Sequence, residues 1–347
     1  MPLPTSLRPR SGPTHALRAL LPRRVRSILA LVLAVPLIPA AVVAFAAETV
    51  PDRPIRVVLG TPAGSGHDTS TRHLVEGLRT ALGQSFVVEN RPGADGMIAV
   101  RQVVAAAPDG FTVLAAVGSQ AIINPAIYAN PGYEVLRDLE PVSLVAHQPM
   151  AIAVHPSVPA TTVRDLVAWS RAHPGTVNYG AGTSTFFLAT ESFKRRSGAD
   201  LMHIPYNGGG PAAQALVAGT VQVAILPTTI LLGHAEAGRV RLLAVSGPKR
   251  FARIPDVPTF TEAGYPEINV VAWYGYGVPA NTPAAVVEKI NQGFNEALRD
   301  PEVRAALEKQ ALQPVAPMTA AEVAALYASD TEKYAKVIRE ANIRLGD

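Results

Sequence analysis

The sequence predicts an α/β fold made of two α/β domains that are joined by a hinge and enclose a cleft. Three segments each consist of an apolar strand, a glycine-rich loop and a helix, the repeating unit of a parallel α/β sheet. The 347-residue chain has no cysteine, so it relies on hydrophobic cores, and it is long enough to form two. The predicted strands also fall into two series, with two connections that cross between the domains, which is typical of a hinged clamp.

The first of the three units gives the clearest prediction of a binding loop. Ile55–Leu59 is dominated by β-branched residues and predicts a strand buried on both faces. Residues 69–82 predict a helix with Asp68 as its cap. Gly64 and Gly66, in the loop between them, allow positive φ angles and a close approach of backbone N–H groups to a ligand. The loop follows the carboxyl end of a strand, where α/β sheets bind ligands.

Two later loops repeat this arrangement in the second series. A predicted strand at 177–179 leads through the loop YGAGTST into a helix at 186–196. A predicted strand at 201–204 leads through the loop PYNGGGP into a helix with Pro211 near its first position. Because these loops carry almost no charged side chains, recognition would come from backbone N–H groups, hydroxyls and helix N-termini. Such groups suit a small carboxylate.

The remaining pattern completes the two domains. In the first, a strand at 86–89, a helix at 98–107 and a strand at 112–116 give a βαβαβ run, so the carboxyl ends of its strands should face one cleft. The second series adds a strand at 151–155, a helix at 163–172 and strands at 221–226 and 242–245. A strand at 273–278 and helices at 282–298, 302–310 and 320–340 should pack back on the first domain. The predicted domains are therefore 47–147 plus 271–347, and 148–270.

The amino terminus predicts export. Residues 1–46 contain six arginines and no acidic residue, then a largely apolar segment, and Ala44-Phe45-Ala46 fits a cleavage site after Ala46. A signal peptide and a periplasmic location follow, against the alternative of a retained membrane anchor; Sec and twin-arginine export both stay open. Without these residues the chain has 25 basic and 27 acidic residues, a net charge of −2, which argues against a nucleic-acid partner.

Several enzymatic alternatives lack their residues. Gly64 and Gly66 with Glu89 resemble a dinucleotide fingerprint, but Thr69 stands where its third glycine would be. The chain has no G-x-S-x-G nucleophile elbow, and its eight histidines show no metal-binding spacing. We therefore predict a protein that is not an enzyme, with no cofactor and no metal. The alternative is an exported α/β enzyme acting on a small carboxylic acid, with His67 and Asp68 as its acid and base.

Several motifs together resemble one known family. They are PAGSGHD at 62–68, VVENRPGA at 87–94, PDGFT at 108–112, PYNGGGP at 205–211 and PDVPT at 255–259. In this order and spacing the chain resembles the Bug-type receptors, the solute-binding components of tripartite tricarboxylate transporters, from residue 51 to 343. The resemblance implies a type II periplasmic binding protein fold that captures a small organic acid in its interdomain cleft. It also implies membrane permease subunits as partners, with a sensor kinase ectodomain as a second option.

The resemblance also implies the ligand contacts. The two loops that hold a ligand carboxylate, with additional cleft residues, correspond here to Ala63, Gly64, Ser65, Gly66, His67, Asp68, Gly180, Gly182, Thr183, Ser184, Thr185, Ser119, Asn124, Tyr206, Asn207 and Gly208. Two side chains have alternatives: His67 either donates to the ligand or faces the cleft rim, and Tyr206 either shapes the pocket or packs at the hinge. Leu226 stands where the family often has an acidic residue, which argues against an amino acid ligand and for a more apolar far end of the site.

Overall fold

The computed structural model of the protein describes residues 53–341, apart from residue 267 and residues 269–271. The predicted signal peptide and its cleavage site therefore lie outside the described residues. Within the described part of the chain, no helix combines the length and the apolar character that a membrane crossing requires.

The strands form two mixed sheets. Numbered in chain order, they are β1 (Ile55–Leu59), β2 (Phe86–Asn90), β3 (Thr112–Val117), β4 (Leu139–Gln148), β5 (Met150–Val154), β6 (Asn178–Ala181), β7 (Met202–Pro205), β8 (Val223–Pro227), β9 (Arg241–Val245), β10 (Ala272–Pro279) and β11 (Gln313–Pro314). The first sheet has the order β11-β4-β10-β3-β1-β2, and the second has the order β7-β6-β8-β5-β9. The chain thus passes from the first sheet to the second after Gln148 and is back in the first at Ala272.

The pairing within each sheet is partly parallel. β1 lies between β2 and β3 and runs parallel to both, as the βαβαβ pattern predicts. β10 is antiparallel to β3 and β4. In the second sheet, β6 is parallel to β7 and β8, whereas β5 is antiparallel to β8 and β9. The carboxyl ends of β1, β2 and β3 therefore lie at one edge of the first sheet.

Helices cover both sheets. They are α1 (Gly66–Leu82), α2 (Met97–Val104), α3 (Asn124–Ile127), α4 (Val135–Asp138), α5 (Val163–Ala172), α6 (Ser184–Ser197), α7 (Gly209–Val217), α8 (Thr228–Glu236), α9 (Ala284–Ala297), α10 (Pro301–Lys309) and α11 (Ala320–Ala341). A 3₁₀ turn, Ala94–Gly96, precedes α2, and a π-helical turn, Ser119–Ile123, precedes α3.

The hydrophobic cores follow the predicted pattern. In β1, Val57 and Val58 are 1% and 0% exposed although they point to opposite faces, which confirms a strand buried on both sides. Ile290 and Phe294 turn the apolar face of α9 toward the first sheet. A Cβ at Gly293 of α9 would lie 2.5 Å from the Leu82 side chain, so the C-terminal helices pack closely on elements of the first sheet, as predicted.

The prediction that Asp68 caps the first helix is wrong. The helix begins at Gly66, and Ser65 is its N-cap because its backbone is extended and its Oγ accepts a hydrogen bond from the Asp68 N–H. Asp68 lies inside the first turn.

Several other boundaries of strands and helices differ from those predicted. β6 and β7 each begin one residue later than predicted. The segment after β3 is the π-helical turn Ser119–Ile123 and runs directly into α3, where Pro125 near the first helical position favours a helix. β4 and α8 had not been predicted from the sequence.

Candidate functional site

The carboxyl edge of the first sheet brings three loops together. A Cβ at Gly60, just after β1, would lie 2.6 Å from Gln120 Nε2 and 2.7 Å from the Gly96 Cα. The three loops that follow β1, β2 and β3 are therefore in direct contact, and only a glycine fits at this junction. The expectation that these strand ends face one place is confirmed for the first sheet.

Asp68 organises the first glycine loop. Its carboxylate accepts hydrogen bonds from the Gly64 N–H at 2.9 Å, from Asn90 Nδ2 at 3.0 Å and from Arg72 Nε at 3.1 Å. Burial opposes its ionisation, but these hydrogen bonds and the Arg72 charge outweigh burial and lower the pKa of the carboxyl. Gly64 takes the positive φ of 76° that the loop predicts. The loop thus already holds one carboxylate, which is its own and is paired with a cation.

His67, beside it, is buried and only partly bonded. It is 3% exposed, which excludes a position on an open rim. Its Nδ1 lies 3.5 Å from Thr61 Oγ1, and its ring contacts Tyr274 at 4.3 Å between centroids. Its Nε2 is buried and has no hydrogen-bond partner among the described residues. Burial lowers the pKa of His67 to about 3, so the imidazole is neutral at physiological pH.

A polar cluster lies next to His67 where the two sheets meet. The Tyr274 hydroxyl accepts a hydrogen bond at 2.9 Å from Gln148 Nε2, at the end of β4. Gln148 Nε2 also donates to Thr229 Oγ1 in α8, which follows β8 of the second sheet. Tyr274 and Gln148 stand out only in the structure, because neither belongs to a motif and their strands are far apart in the sequence.

The second glycine loop starts α6. Thr183 is its N-cap by backbone geometry, but its side chain makes no capping hydrogen bond, and Thr183 Oγ1 is buried without a partner among the described residues. The Ser184 N–H donates to Asp95 Oδ2 at 3.1 Å, and Ser184 Oγ donates to Asn124 Oδ1 at 2.6 Å. Thr185 follows in the first turn and is buried.

The third loop packs against the second. The Gly208 N–H donates to the Gly182 carbonyl at 2.9 Å, and a Cβ at Gly182 would lie 2.0 Å from the Gly208 carbonyl oxygen. A Cβ at Gly180 would lie 3.3 Å from Tyr206 Cε2. Tyr206 is half-buried against this loop, and Asn207 is exposed. The second and third loops therefore form one unit at the edge of the second sheet.

Ser119 and Asn124 occupy the segment after β3. Both are buried, at 2% and 0% exposure. Besides accepting from Ser184, Asn124 donates through Nδ2 to the backbone carbonyl of Asp95 at 3.0 Å. Asn124 thus connects the first sheet to the start of α6.

Asp95 lies at the candidate site, although it was not predicted from the sequence. It lies in the 3₁₀ turn after β2 with a φ of 49°, and it accepts from Ser184 across the two sheets. Burial raises the pKa of its carboxyl more than its hydrogen bonds to Ser184 and Asn124 lower it. The sequence signal was a carboxylate inside a glycine-rich turn at the carboxyl end of a strand.

The remaining predicted residues have less specific surroundings. Ala63 and Gly66 are exposed in the first loop, Ser65 serves as the N-cap of α1, and Leu226 is fully buried in β8, where it pairs with Ala151. The Asp68 carboxylate accepts hydrogen bonds from the Gly64 N–H, Arg72 and Asn90, and no hydrogen bond among the described residues joins it to the His67 ring.

Comparison with known proteins places this arrangement in a family. The family model described as "Tripartite tricarboxylate transporter family receptor" matches residues 70–343. Protein BugT of Bordetella pertussis is 33% identical over 302 residues, which cover 86% of this chain and 92% of BugT.

Solved structures give the same assignment. The periplasmic binding protein BugD superposes with a TM-score of 0.77 at 28% identity, covering 86% of this chain and 100% of BugD. R. palustris Rpa4515, solved with adipate, superposes with a TM-score of 0.79 at 29% identity, covering 85% of this chain and 99% of Rpa4515. These findings confirm the fold and the resemblance drawn from the motifs. The chain has the fold of the periplasmic binding proteins and belongs to the receptor family of the tripartite tricarboxylate transporters.

Proposed function

We propose that this protein binds a small organic acid between its two sheets and presents it to the membrane permease subunits of a tripartite transporter. One observation carries the proposal. Each of two loops, one from each sheet, has a buried side-chain atom without a partner among the described residues, His67 Nε2 and Thr183 Oγ1. Buried polar atoms are rarely left unpaired, so a polar ligand between the loops would supply the missing partners.

The ligand class follows from what surrounds these atoms. His67 lies in the first turn of α1 and Thr183 is the N-cap of α6, and helix N-termini favour negative charge. A neutral His67 can donate one hydrogen bond to a carboxylate without adding a charge. The adipate found with Rpa4515 is a small organic acid of this kind.

The proposal extends to the two lobes of the protein and to its location in the cell. The two lobes would be residues 47–147 plus 271–347, and residues 148–270, with the ligand contacted by the loops at 63–68 and 180–185. The protein would reach the periplasm through a signal peptide cleaved near Ala46. The alternation of the chain between the two sheets supports a hinged clamp of this kind.

A thermal-shift experiment tests the proposal. Purified protein, freed of bound solutes by partial unfolding and dialysis, is melted with mono-, di- and tricarboxylates and with neutral alcohols of the same carbon skeletons. An acid present at about 100 times its Kd should add about 2.7 kcal/mol to the free energy of unfolding, and the alcohols should add nothing. Failure of every acid to raise the melting temperature of folded protein would refute the proposal.

Two hydroxyl variants show whether binding uses the proposed loop. Thr183→Val removes the buried Oγ1 at the start of α6 and should weaken acid binding about tenfold, because a polar group of the bound ligand would lose its hydrogen-bond partner. Ser192→Ala removes another buried, unpartnered hydroxyl two turns further along α6 and should leave affinity unchanged. Equal affinities for both variants would place the ligand elsewhere.

A further inference from the structure

Asp95 is held in an unusual place by its surroundings. Ala94 and Asp95 both have positive φ angles, 48° and 49°, between two glycines that also do. A Cβ at Gly96 would lie 2.0 Å from Gln120 Nε2, so the turn is packed tightly against the segment after β3. The turn therefore presents the Asp95 side chain from the first sheet in a defined direction, toward the second.

The Asp95 carboxylate lies at the start of α6. Its Oδ2 accepts from the Ser184 N–H at 3.1 Å, one of the first N–H groups of a helix of 14 residues. Asn124 holds both partners, donating to the Asp95 carbonyl and accepting from Ser184 Oγ. An anion supplied by the chain itself thus occupies one donor at the N-terminus of the second loop's helix.

This carboxylate has no ion-pair partner within the part of the chain that the structure describes. None of the ion pairs of the described residues includes Asp95, in contrast to Asp68, which pairs with Arg72 at 3.0 Å. The Arg101 guanidinium, on α2, donates instead to the carbonyls of Pro131 and Asn130. The titratable groups that interact with Asp95 are the phenols of Tyr128 and Tyr133. A second anion placed beside Asp95 would therefore compete with Asp95 for the same hydrogen-bond donors. It would find no positively charged side chain among the described ion pairs of Asp95 to offset the repulsion.

We propose that Asp95 determines specificity by filling, from within the chain, the anion position at the N-terminus of α6, so that the receptor takes acids with one carboxylate. The inference rests on the proposed function, in which the loop at 180–185 contacts the ligand. The ligand carboxylate would then bind at the first loop, near His67. Its other end would meet Asp95 with a hydroxyl or another neutral donor, because a second carboxylate would be repelled.

Matched pairs of acids test this inference by calorimetric titration at pH 7.5. Succinate is compared with 4-hydroxybutyrate, and adipate with 6-hydroxyhexanoate, so that each pair differs only at one end. The wild type should bind the hydroxy acid of a pair at least about tenfold more tightly than the diacid. Asp95→Gly, which suits the positive φ, should shift that ratio about tenfold toward the diacid by freeing the Ser184 N–H.

Two further variants keep the test decisive. Asp95→Asn removes the charge but keeps an acceptor for the Ser184 N–H, so it should shift the affinity ratio in the same direction but by less. If Asp95→Gly does not fold, the ratio measured with Asp95→Asn tests the role of Asp95. Asp256→Asn makes the same chemical change at an exposed site and should match the wild type.

The outcomes separate the two proposals. A wild type that binds diacids as tightly as hydroxy acids, or a ratio that no Asp95 variant changes, overturns the role of Asp95 and leaves the receptor function standing. Absence of binding by the wild type and by both Asp95 variants to every acid tested overturns the receptor function, and the role of Asp95 with it.

Discussion

His67 and Asp68 are neighbours in the sequence and both are buried, but their surroundings favour the neutral form of His67 and the ionised form of Asp68. Asp68 receives hydrogen bonds from Arg72, Asn90 and a backbone N–H, so it stays ionised and holds the loop in shape. His67 packs against the Tyr274 ring, and no carboxylate of the described residues is hydrogen-bonded to it, so burial keeps the imidazole neutral. Asp68 therefore fixes the shape of the first loop. His67 adds a ring nitrogen, Nε2, that has no hydrogen-bond partner among the described residues.

The buried state of His67 predicts a pH dependence of stability. Its pKa is about 3 in the folded protein, below the ordinary value of 6.5, so the unfolded chain binds an extra proton between these pH values. Stability should thus fall as the pH drops from about 6.5 toward 3, by up to about 1.4 kcal/mol per pH unit for this one group.

Urea unfolding at pH 5 and pH 7 measures this effect. The His67→Gln variant should lose less stability than the wild type on acidification. His73→Gln, which changes an exposed histidine on the same helix, should behave as the wild type. A His67→Gln variant with the wild-type loss would mean that His67 is accessible to protons in the folded protein.

At the scale of elements, the second and third loops depend on a close backbone approach. The Gly182 carbonyl accepts from the Gly208 N–H, and this contact aligns the starts of α6 and α7 at the edge of the second sheet. Of these glycines, Gly208 has a positive φ, 98°, whereas Gly182 is required for space. The loop pattern therefore has two separate physical causes.

Substitution of Gly182 should reveal the spatial requirement. In Gly182→Ala the new Cβ would lie 2.0 Å from the Gly208 carbonyl oxygen, so the two loops must separate, at a cost of about 1–3 kcal/mol in unfolding free energy. Gly210→Ala meets no atom within 4 Å and lies in the first turn of α7, so it should be neutral or slightly stabilising. Chemical denaturation compares the two variants, and equal stability would show that the loops adjust without strain.

At the scale of the whole molecule, Asp95, Asn124 and Ser184 form a hydrogen-bonded link between the two sheets. The link includes a buried carboxylate, whose desolvation opposes its ionisation. A pKa raised in the folded protein stabilises the fold at low pH, and this contribution is lost as the pH rises through the folded-state value. Ionisation of Asp95 thus works against the structure that it connects.

The Asp95→Asn variant should therefore be more stable than the wild type at pH 7.5. The amide still accepts from Ser184 but needs no ionisation, so the gain in melting temperature should shrink as the pH falls and the wild-type carboxyl takes up a proton. Tyr128 and Tyr133, the other titratable groups that interact with Asp95, do not ionise in this range. A variant less stable than the wild type at pH 7.5 would show that attraction to the helix N-terminus outweighs the cost of burial.

The α/β class, the strand β1, the βαβαβ run of β1 to β3 and the family could all be predicted from the sequence, because they depend on local periodicity and on motifs that are contiguous in the chain. The three glycine loops could be located in the same way. The partners that those loops meet are defined only in the folded protein. Ser65 rather than Asp68 caps α1, and Gln148 and Tyr274 join His67 from distant strands. Asp95 contacts a residue 89 positions away, and no local pattern encodes that hydrogen bond, because burial and charge compensation arise only when separate segments pack together.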